Sequence, residues 1–254
     1  MMTRRDLSPA AREVVLAFAD DEHLIGARHT AWIGRGPFLE EDLAFCSIAQ
    51  DEIGHAIALY ELLVDDADDV DHLALLRDPA DYRSCWLVEL PCTGWADALV
   101  RHLLYDSAEA LRWEAVATSN VAELAAVAVR AQREEAFHVA HARGLVARLL
   151  DSGGEGRAAL VAAIERLLPT AVALWEPVAG ERAAIDEGVI ATSSAELGER
   201  WWTETASLLA AHGLAIDRPS PVGGQRARTV RSEHFADLQA EIRRVIDLDP
   251  DARW

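Results

Sequence analysis

The 254-residue sequence predicts an all-α fold. Three observations carry that reading: Ala, Leu, Arg and Glu dominate long stretches, runs of alternating β-branched residues are absent, and most prolines fall between the apolar-periodic segments. The first helix opens at Ser8-Pro9, a capping hydroxyl followed by a first-turn proline, and runs to about Ile33, where Gly34-Arg35-Gly36-Pro37 breaks it. A second helix spans about Leu39 to Val64. An acidic loop, Asp65 to Asp71, and a less regular stretch holding Pro79 and Pro91 lead to a third helix, about Gly94 to Thr118. Ser119-Asn120 is the expected cap of a fourth, about Val121 to Leu150, which Ser152-Gly153-Gly154 ends.

Four helices of about 25 residues in two hairpins, joined by a longer crossover, form the layout of a ferritin-like four-helix bundle. Further C-terminal helices, near 156–182, 195–212 and 233–246, are expected to flank it. With no linker, repeat or low-complexity tract, the expectation is a single domain over 1–254, its core bundle at about 8–150 and its flanking helices at about 155–247.

Composition excludes several functions. A net charge of −19 repels phosphate backbones and anionic lipid surfaces, so neither a nucleic acid nor a membrane is an expected partner. All 24 cationic residues are arginine, which removes Schiff-base lysines and Walker-type phosphate loops. The apolar run Val14 to Ala19 is too short for a signal peptide, and no stretch is long enough to span a bilayer. Cys46, Cys85 and Cys92, odd in number and without C-x-x-C spacing, suit reduced thiols in a cytoplasm.

Two segments carry chemistry: Glu52-Ile53-Gly54-His55 and Glu135-Ala136-Phe137-His138. In each E-x-x-H pair the two side chains lie one turn apart on one helical face. With 22 Glu and 9 His in the chain, chance yields about 0.8 such pairs, so neither pair is informative alone. Their setting is informative, because both interrupt apolar stripes: Phe45, Ile48, Ala49, Ala56 and Leu59 around the first, Ala128, Ala131, Ala142 and Leu145 around the second. A two-metal bundle needs one further carboxylate from each remaining helix. Glu22 lies thirty residues before Glu52, on a face with Val15, Phe18 and Ile25. Asp106 lies twenty-nine residues before Glu135, on a face with Leu103, Ala110 and Trp113, and Glu109 one turn later could substitute for it.

Four carboxylates and two imidazoles in an apolar interior require neutralisation by cations. Carboxylate-rich ligation with one histidine per metal suits two irons, or an iron–manganese pair, with dioxygen as co-substrate. The expected set is Glu22, Glu52 and His55 on one metal and Asp106, Glu135 and His138 on the other, with Glu52 and Glu135 bridging. His23, His29 and His141 read as helix-surface histidines, and Trp201-Trp202 as core anchors. The 65–71 loop and the arginines 130, 133, 143 and 148 read as solvated, salt-bridged surface.

Several stretches resemble the phenylacetyl-CoA oxygenase family, a multicomponent ring epoxidase of bacterial aromatic catabolism. They are Asp20 to Gly26, the P-x-L-E-E-D-x-A element within Gly36 to Ala44, Leu87 to Pro91, Gly223-Gly224 to His234, and Leu238 to Glu241. In length the chain is similar to the smaller of that family's two ferritin-like components, which has eroded ligands there and serves as a structural partner. Its filled ligand positions, and Asp51-Glu52-Ile53-Gly54-His55 in particular, resemble the larger, catalytic component. The resemblance implies an oxygenase component acting on an aromatic acyl-CoA such as phenylacetyl-CoA. It also implies a second ferritin-like subunit, or a homo-oligomer, and a flavin and iron–sulfur reductase as partners. A separate electron source is also what the residues require, since the chain has no Rossmann glycine motif and no iron–sulfur cysteine pattern. The rival from another class is a non-catalytic structural subunit that packs against the catalytic one. Iron storage fits less well because it calls for a shorter four-helix chain and a cage interface, and a radical protein because position 59, one turn past His55, is leucine rather than tyrosine.

Overall fold

The structure is a computed structural model that describes residues 2–3, 6–66, 69–222 and 228–249. Among them are ten α-helices and no strand: α1 Pro9–Thr30, α2 Leu39–Glu61, α3 Asp69–Leu75, α4 Trp86–Glu89, α5 Trp95–Val116, α6 Ala122–Ser152, α7 Gly154–Ala173, α8 Glu181–Asp186, α9 Ser194–Ala211 and α10 Phe235–Arg243. The fold is all-α and ferritin-like, built on the hairpins α1/α2 and α5/α6. No helix among the described residues is long and apolar enough to cross a membrane.

Local signals explain the long helices. Ser8 Oγ accepts the Ala11 amide at 3.1 Å with Pro9 in the first turn, and Gly153 and Gly154, at φ 71° and 64°, turn α6 into α7. Three expectations need correction. The helix near 156–182 stops at Ala173, because Pro177 keeps Glu176 out of the helical region and Gly180 takes φ 87°, leaving α8 as a separate short helix. The irregular crossover carries the short helices α3 and α4. Ser119-Asn120 does not cap α6 through Asn120, whose side-chain amide donates instead to the Glu187 carbonyl at 3.1 Å and ties the end of α8 to the bundle. Ala67 and Asp68 of the acidic loop, and the Gly223-Gly224 start of the closing stretch, lie outside the described residues.

The apolar core is interrupted at mid-height. One cluster contains Val15, Phe18, Ala56, Leu59, Trp113, Ala128 and Ala131, and the other contains Leu24, Leu103, Leu104, Ala142, Val146 and Leu150. Between them on every bundle helix lie acidic or imidazole side chains. Helix α5 is buried nearly all round, with 17 of its 22 residues inaccessible, because α7 and α9 cover the face that points away from the bundle. Trp201 of α9 anchors that layer by donating its indole N–H to the Leu104 carbonyl at 3.0 Å.

The Asp20-Asp21-Glu22 triplet sends its three buried carboxylates in three directions. Asp20 accepts from the Tyr60 hydroxyl at 2.7 Å, from Arg77 and from the Arg83 amide at 2.6 Å, pinning the crossover to α1. Asp21 accepts from Arg112 at 2.9 Å, from the Cys85 amide at 2.7 Å and pairs with Arg228 at 3.0 Å. Glu22 alone points into the bundle centre.

At that height α1 and α2 approach closely through Gly26. A Cβ there would lie 2.8 Å from Ile53 Cγ1, 3.1 Å from Glu52 Cβ and 3.3 Å from the Ala49 carbonyl. Gly26→Val is expected to cost about 1–3 kcal/mol of unfolding free energy by overpacking this contact. Urea denaturation checks it, and a midpoint equal to that of the parent would show the helices free to separate.

Candidate metal centre

Seven side chains from four helices meet in the polar layer. Glu22 comes from α1, Glu52 and His55 from α2, Asp106 and Glu109 from α5, and Glu135 and His138 from α6, each at most 1% exposed. The one-turn spacing of each E-x-x-H pair aims its carboxylate and its imidazole at the same interior space. Around His55 Nδ1 lie Glu22 Oε2 and Glu109 Oε1, each at 3.4 Å, Glu135 Oε1 at 3.9 Å and Glu52 Oε2 at 4.0 Å. Around His138 Nδ1 lie Glu135 Oε1 at 2.9 Å, Glu52 Oε1 at 3.8 Å and Asp106 Oδ2 at 3.9 Å. Glu52 thus places one oxygen near each histidine, and Glu135 reaches both.

The histidines are oriented from outside, and reciprocally. His55 Nε2 lies 2.7 Å from Glu134 of α6, the residue before Glu135, while His138 Nε2 lies 3.2 Å from Asp51 of α2, the residue before Glu52. Each tether fixes the ring so that Nδ1 faces inward. The tethering carboxylates are about one-third exposed, at 32% for Asp51 and 31% for Glu134, so they mark where the layer meets solvent between α2 and α6. Glu22 and Glu109 are likewise held by one oxygen, Oε1, through the Tyr105 hydroxyl at 2.8 Å and the Trp113 indole N–H at 2.7 Å respectively.

What faces inward has no hydrogen-bond partner: Glu22 Oε2, Glu109 Oε2, both oxygens of Glu52, Asp106 and Glu135, and Nδ1 of His55 and His138. Leaving such atoms unpaired in an apolar core would cost several kcal/mol, at about 1–3 each. Burial, and then the neighbouring carboxylates, push Glu22, Glu52 and Glu135 well above the usual carboxylate range. Burial raises Asp106 in the same way against the pull of His138, whereas the neighbouring Glu22 and the His55 and His138 imidazoles hold Glu109 below its usual range despite its burial. Burial would lower His55, but Glu109 and Glu22 overcome it and push it up to about 11. Lone pairs converging on one space, each donor braced from behind, fit divalent cations, and the carboxylate-rich donor set fits iron or manganese.

The structure brings the six residues expected from the sequence into this one layer. Glu109 joins them alongside Asp106 rather than replacing it. His29 is not a surface residue, being fully buried, and His141 is half-buried against His102 and Glu41. Both face neighbouring helices because α2 and α5 close over that end of the bundle. His23 is half-buried with its Nδ1 enclosed, away from the layer. Sequence reasoning missed His102, Tyr105 and the roles of Asp51 and Glu134. The last two had a readable signal, an acidic residue immediately before each E-x-x-H glutamate.

A family model described as "Phenylacetic acid catabolic protein" matches residues 2–254. The chain belongs to the phenylacetic acid catabolic protein family. Among curated relatives it is similar to one component of the 1,2-phenylacetyl-CoA epoxidase of Escherichia coli (strain K12), the subunit designated C. The two are 25% identical over 241 residues, which cover 94% of this chain and 97% of the relative. Membership in this family accords with the ferritin-like fold and with the carboxylate and histidine clusters at its centre.

The charge balance of the layer has a measurable consequence. In metal-free protein the folded state keeps the His55 proton up to about pH 11, whereas the unfolded chain releases it near 6.5, so folding binds protons between these values. Stability of the metal-free protein is therefore expected to fall as pH rises from 6.5 towards about 9, and added manganese(II), which displaces protons, to reverse the slope. Urea unfolding across that window checks it, and a metal-free stability that rises with pH would contradict the proton-holding layer.

Proposed function

We propose that this chain is a metal-binding component of an oxygenase that acts on an aromatic acyl-CoA. The family places the protein in phenylacetate catabolism, and its full-length relative is a subunit of a multi-subunit epoxidase. The observation that carries the finer reading is the buried layer itself. Its inward oxygens and nitrogens lack partners, while four of its groups are braced from outside by Asp51, Glu134, Tyr105 or Trp113. Glu22, Glu52, His55 and Glu109 would hold one iron and Asp106, Glu135 and His138 the other, with Glu52 and Glu135 shared.

Bound iron would supply the redox chemistry of dioxygen activation for oxygen transfer to the ring of a substrate such as phenylacetyl-CoA. The chain's own residues would do the rest. Glu52 and Glu135, each within 4.0 Å of both histidines, would serve both groups of donors. Trp113, tilted on Phe18 at 4.3 Å and edge-on to His55 at 5.2 Å, walls one side against water. The three cysteines are free thiols and Cys85 is buried, so electrons would come from a separate flavin and iron–sulfur reductase. Exposed Phe38, Leu39 and Leu43 at the start of α2, with Phe137 on α6, offer apolar surface to a second ferritin-like subunit. A second reading, a structural subunit that keeps its metal for stability, is favoured by the full-length similarity to the epoxidase component of matching length.

The test is metal content per chain in protein grown with iron, followed by stopped-flow absorbance when the ferrous form meets dioxygen. A rapid spectral change supports the oxygenase component, and bound iron inert to dioxygen supports the structural reading. Glu52→Ala and His138→Ala are expected to lose metal and oxygen reactivity together, and full metal content in both would overturn the ligand set. Asp51→Asn and Glu134→Gln, which loosen the tethers without removing a ligand, are expected to weaken metal affinity about 10–100-fold. A chelator competition assay measures that, and unchanged affinity would make the tethers incidental.

A further inference from the structure

Beside the layer, at the end of the bundle where α1 closes, lies a second cluster of buried donors. His29 of α1 is 0% exposed, and neither of its ring nitrogens has a hydrogen-bond partner. Its orientation is set by packing alone: the ring stands edge-on to Phe45 at 5.2 Å and to His102 at 5.5 Å. His102 of α5, also fully buried, sits one turn before Asp106. Its Nδ1 pairs with Asp106 Oδ2 at 2.7 Å, yet neither atom has a hydrogen-bond partner of acceptable geometry. One donor atom from each of His29, His102 and Asp106 lies within 4.8 Å of the other two.

Three features separate this cluster from a set of ordinary core histidines. A buried imidazole whose two nitrogens are both unsatisfied is costly, and a core with no use for it would hold an apolar ring instead. His102 repeats the inside-out pattern of His55 and His138: Nδ1 is inward and free, while Nε2 is braced from behind by His141 Nδ1 at 3.1 Å, whose own Nε2 meets Glu41 at 3.0 Å. Finally, the layer holds five buried carboxylates, and two divalent cations balance four. Asp106 belongs to two groups of donors, one with Glu52 and His138 and one with His29 and His102, and its Oδ2 lies 3.9 Å from His138 Nδ1 and 2.7 Å from His102 Nδ1.

We propose that His29, His102 and Asp106 form a third divalent-metal site, adjacent to the pair. Two imidazoles and one carboxylate select a first-row transition ion such as iron(II), cobalt(II) or zinc(II) over magnesium or calcium, and leave positions open for water or another ligand. The proposal rests on the two-metal reading only in making Asp106 a shared ligand. The donors His29 and His102 belong to this site alone.

The experiment is an anaerobic titration of the metal-free full-length chain with cobalt(II). Bound ion is counted by equilibrium dialysis and the visible cobalt absorption is followed. The expected result is three ions per chain in the parent, and two in His29→Leu and His102→Leu with loss of one set of absorption bands. His29→Gln, which keeps a polar group of similar size, provides the same count should the leucine variant fail to fold by circular dichroism. A parent that saturates at two ions, or histidine variants that bind as many as the parent, overturns the third site while leaving the pair intact. A parent that binds a single ion, kept by Glu52→Ala but lost by His29→Leu, supports the third site and sinks the pair instead, so the two readings fail separately.

Discussion

Concentrating carboxylates at the centre of an apolar bundle is the constraint that organises this molecule. Taking charges out of water costs far more than their packing returns, so the layer persists only where its groups are braced and their charge is compensated. The bracing is visible: Tyr105, Trp113, Asp51 and Glu134 each hold one polar atom of a group whose other polar atom has no hydrogen-bond partner. The compensation is visible too, in carboxyls driven towards their protonated form and in a histidine driven towards its charged one. Protons do in the metal-free chain what cations are suited to do in the loaded one.

That layer also explains the architecture around it. It splits the hydrophobic core into clusters above and below, so neither half can stabilise the bundle as a continuous core would. The remaining chain supplies what is missing. Helices α7 and α9 wrap α5, the helix that contributes two carboxylates, and seal its outer face. The crossover and the closing stretch pin α1 through Asp20 and Asp21, fixing the depth at which Glu22 enters. Stability and site geometry therefore depend on the same buried ion pairs.

The two hairpins contribute reciprocally to the layer, and the tethers show it. Each helix that carries an E-x-x-H pair also carries, one residue earlier, the carboxylate that orients the histidine of the other. Neither hairpin can complete its own half of the layer, so the site forms only when α2 meets α6. A one-residue slip between the hairpins would break both tethers and displace both Glu52 and Glu135. This couples docking of the two halves to assembly of the centre.

The order and approximate bounds of the long helices, the inward stripe of each, and six of the seven layer residues are legible in the sequence. They follow from local rules: capping, apolar periodicity and the i, i+3 geometry that pairs each glutamate with its histidine. Glu109 is legible only as an alternative to Asp106, since spacing along one helix does not reveal that two successive turns of α5 both face the layer. His29 reads as surface because helix geometry alone does not show which neighbour covers a given face, and that is decided by how α2 and α5 pack over the end of α1. His102 and Tyr105 give no signal, because α5 is buried all round and its periodicity is masked by α7 and α9. Local spacing determines which residues share a face, but only tertiary packing decides which faces meet, which atoms are left unpartnered and where charge must be compensated.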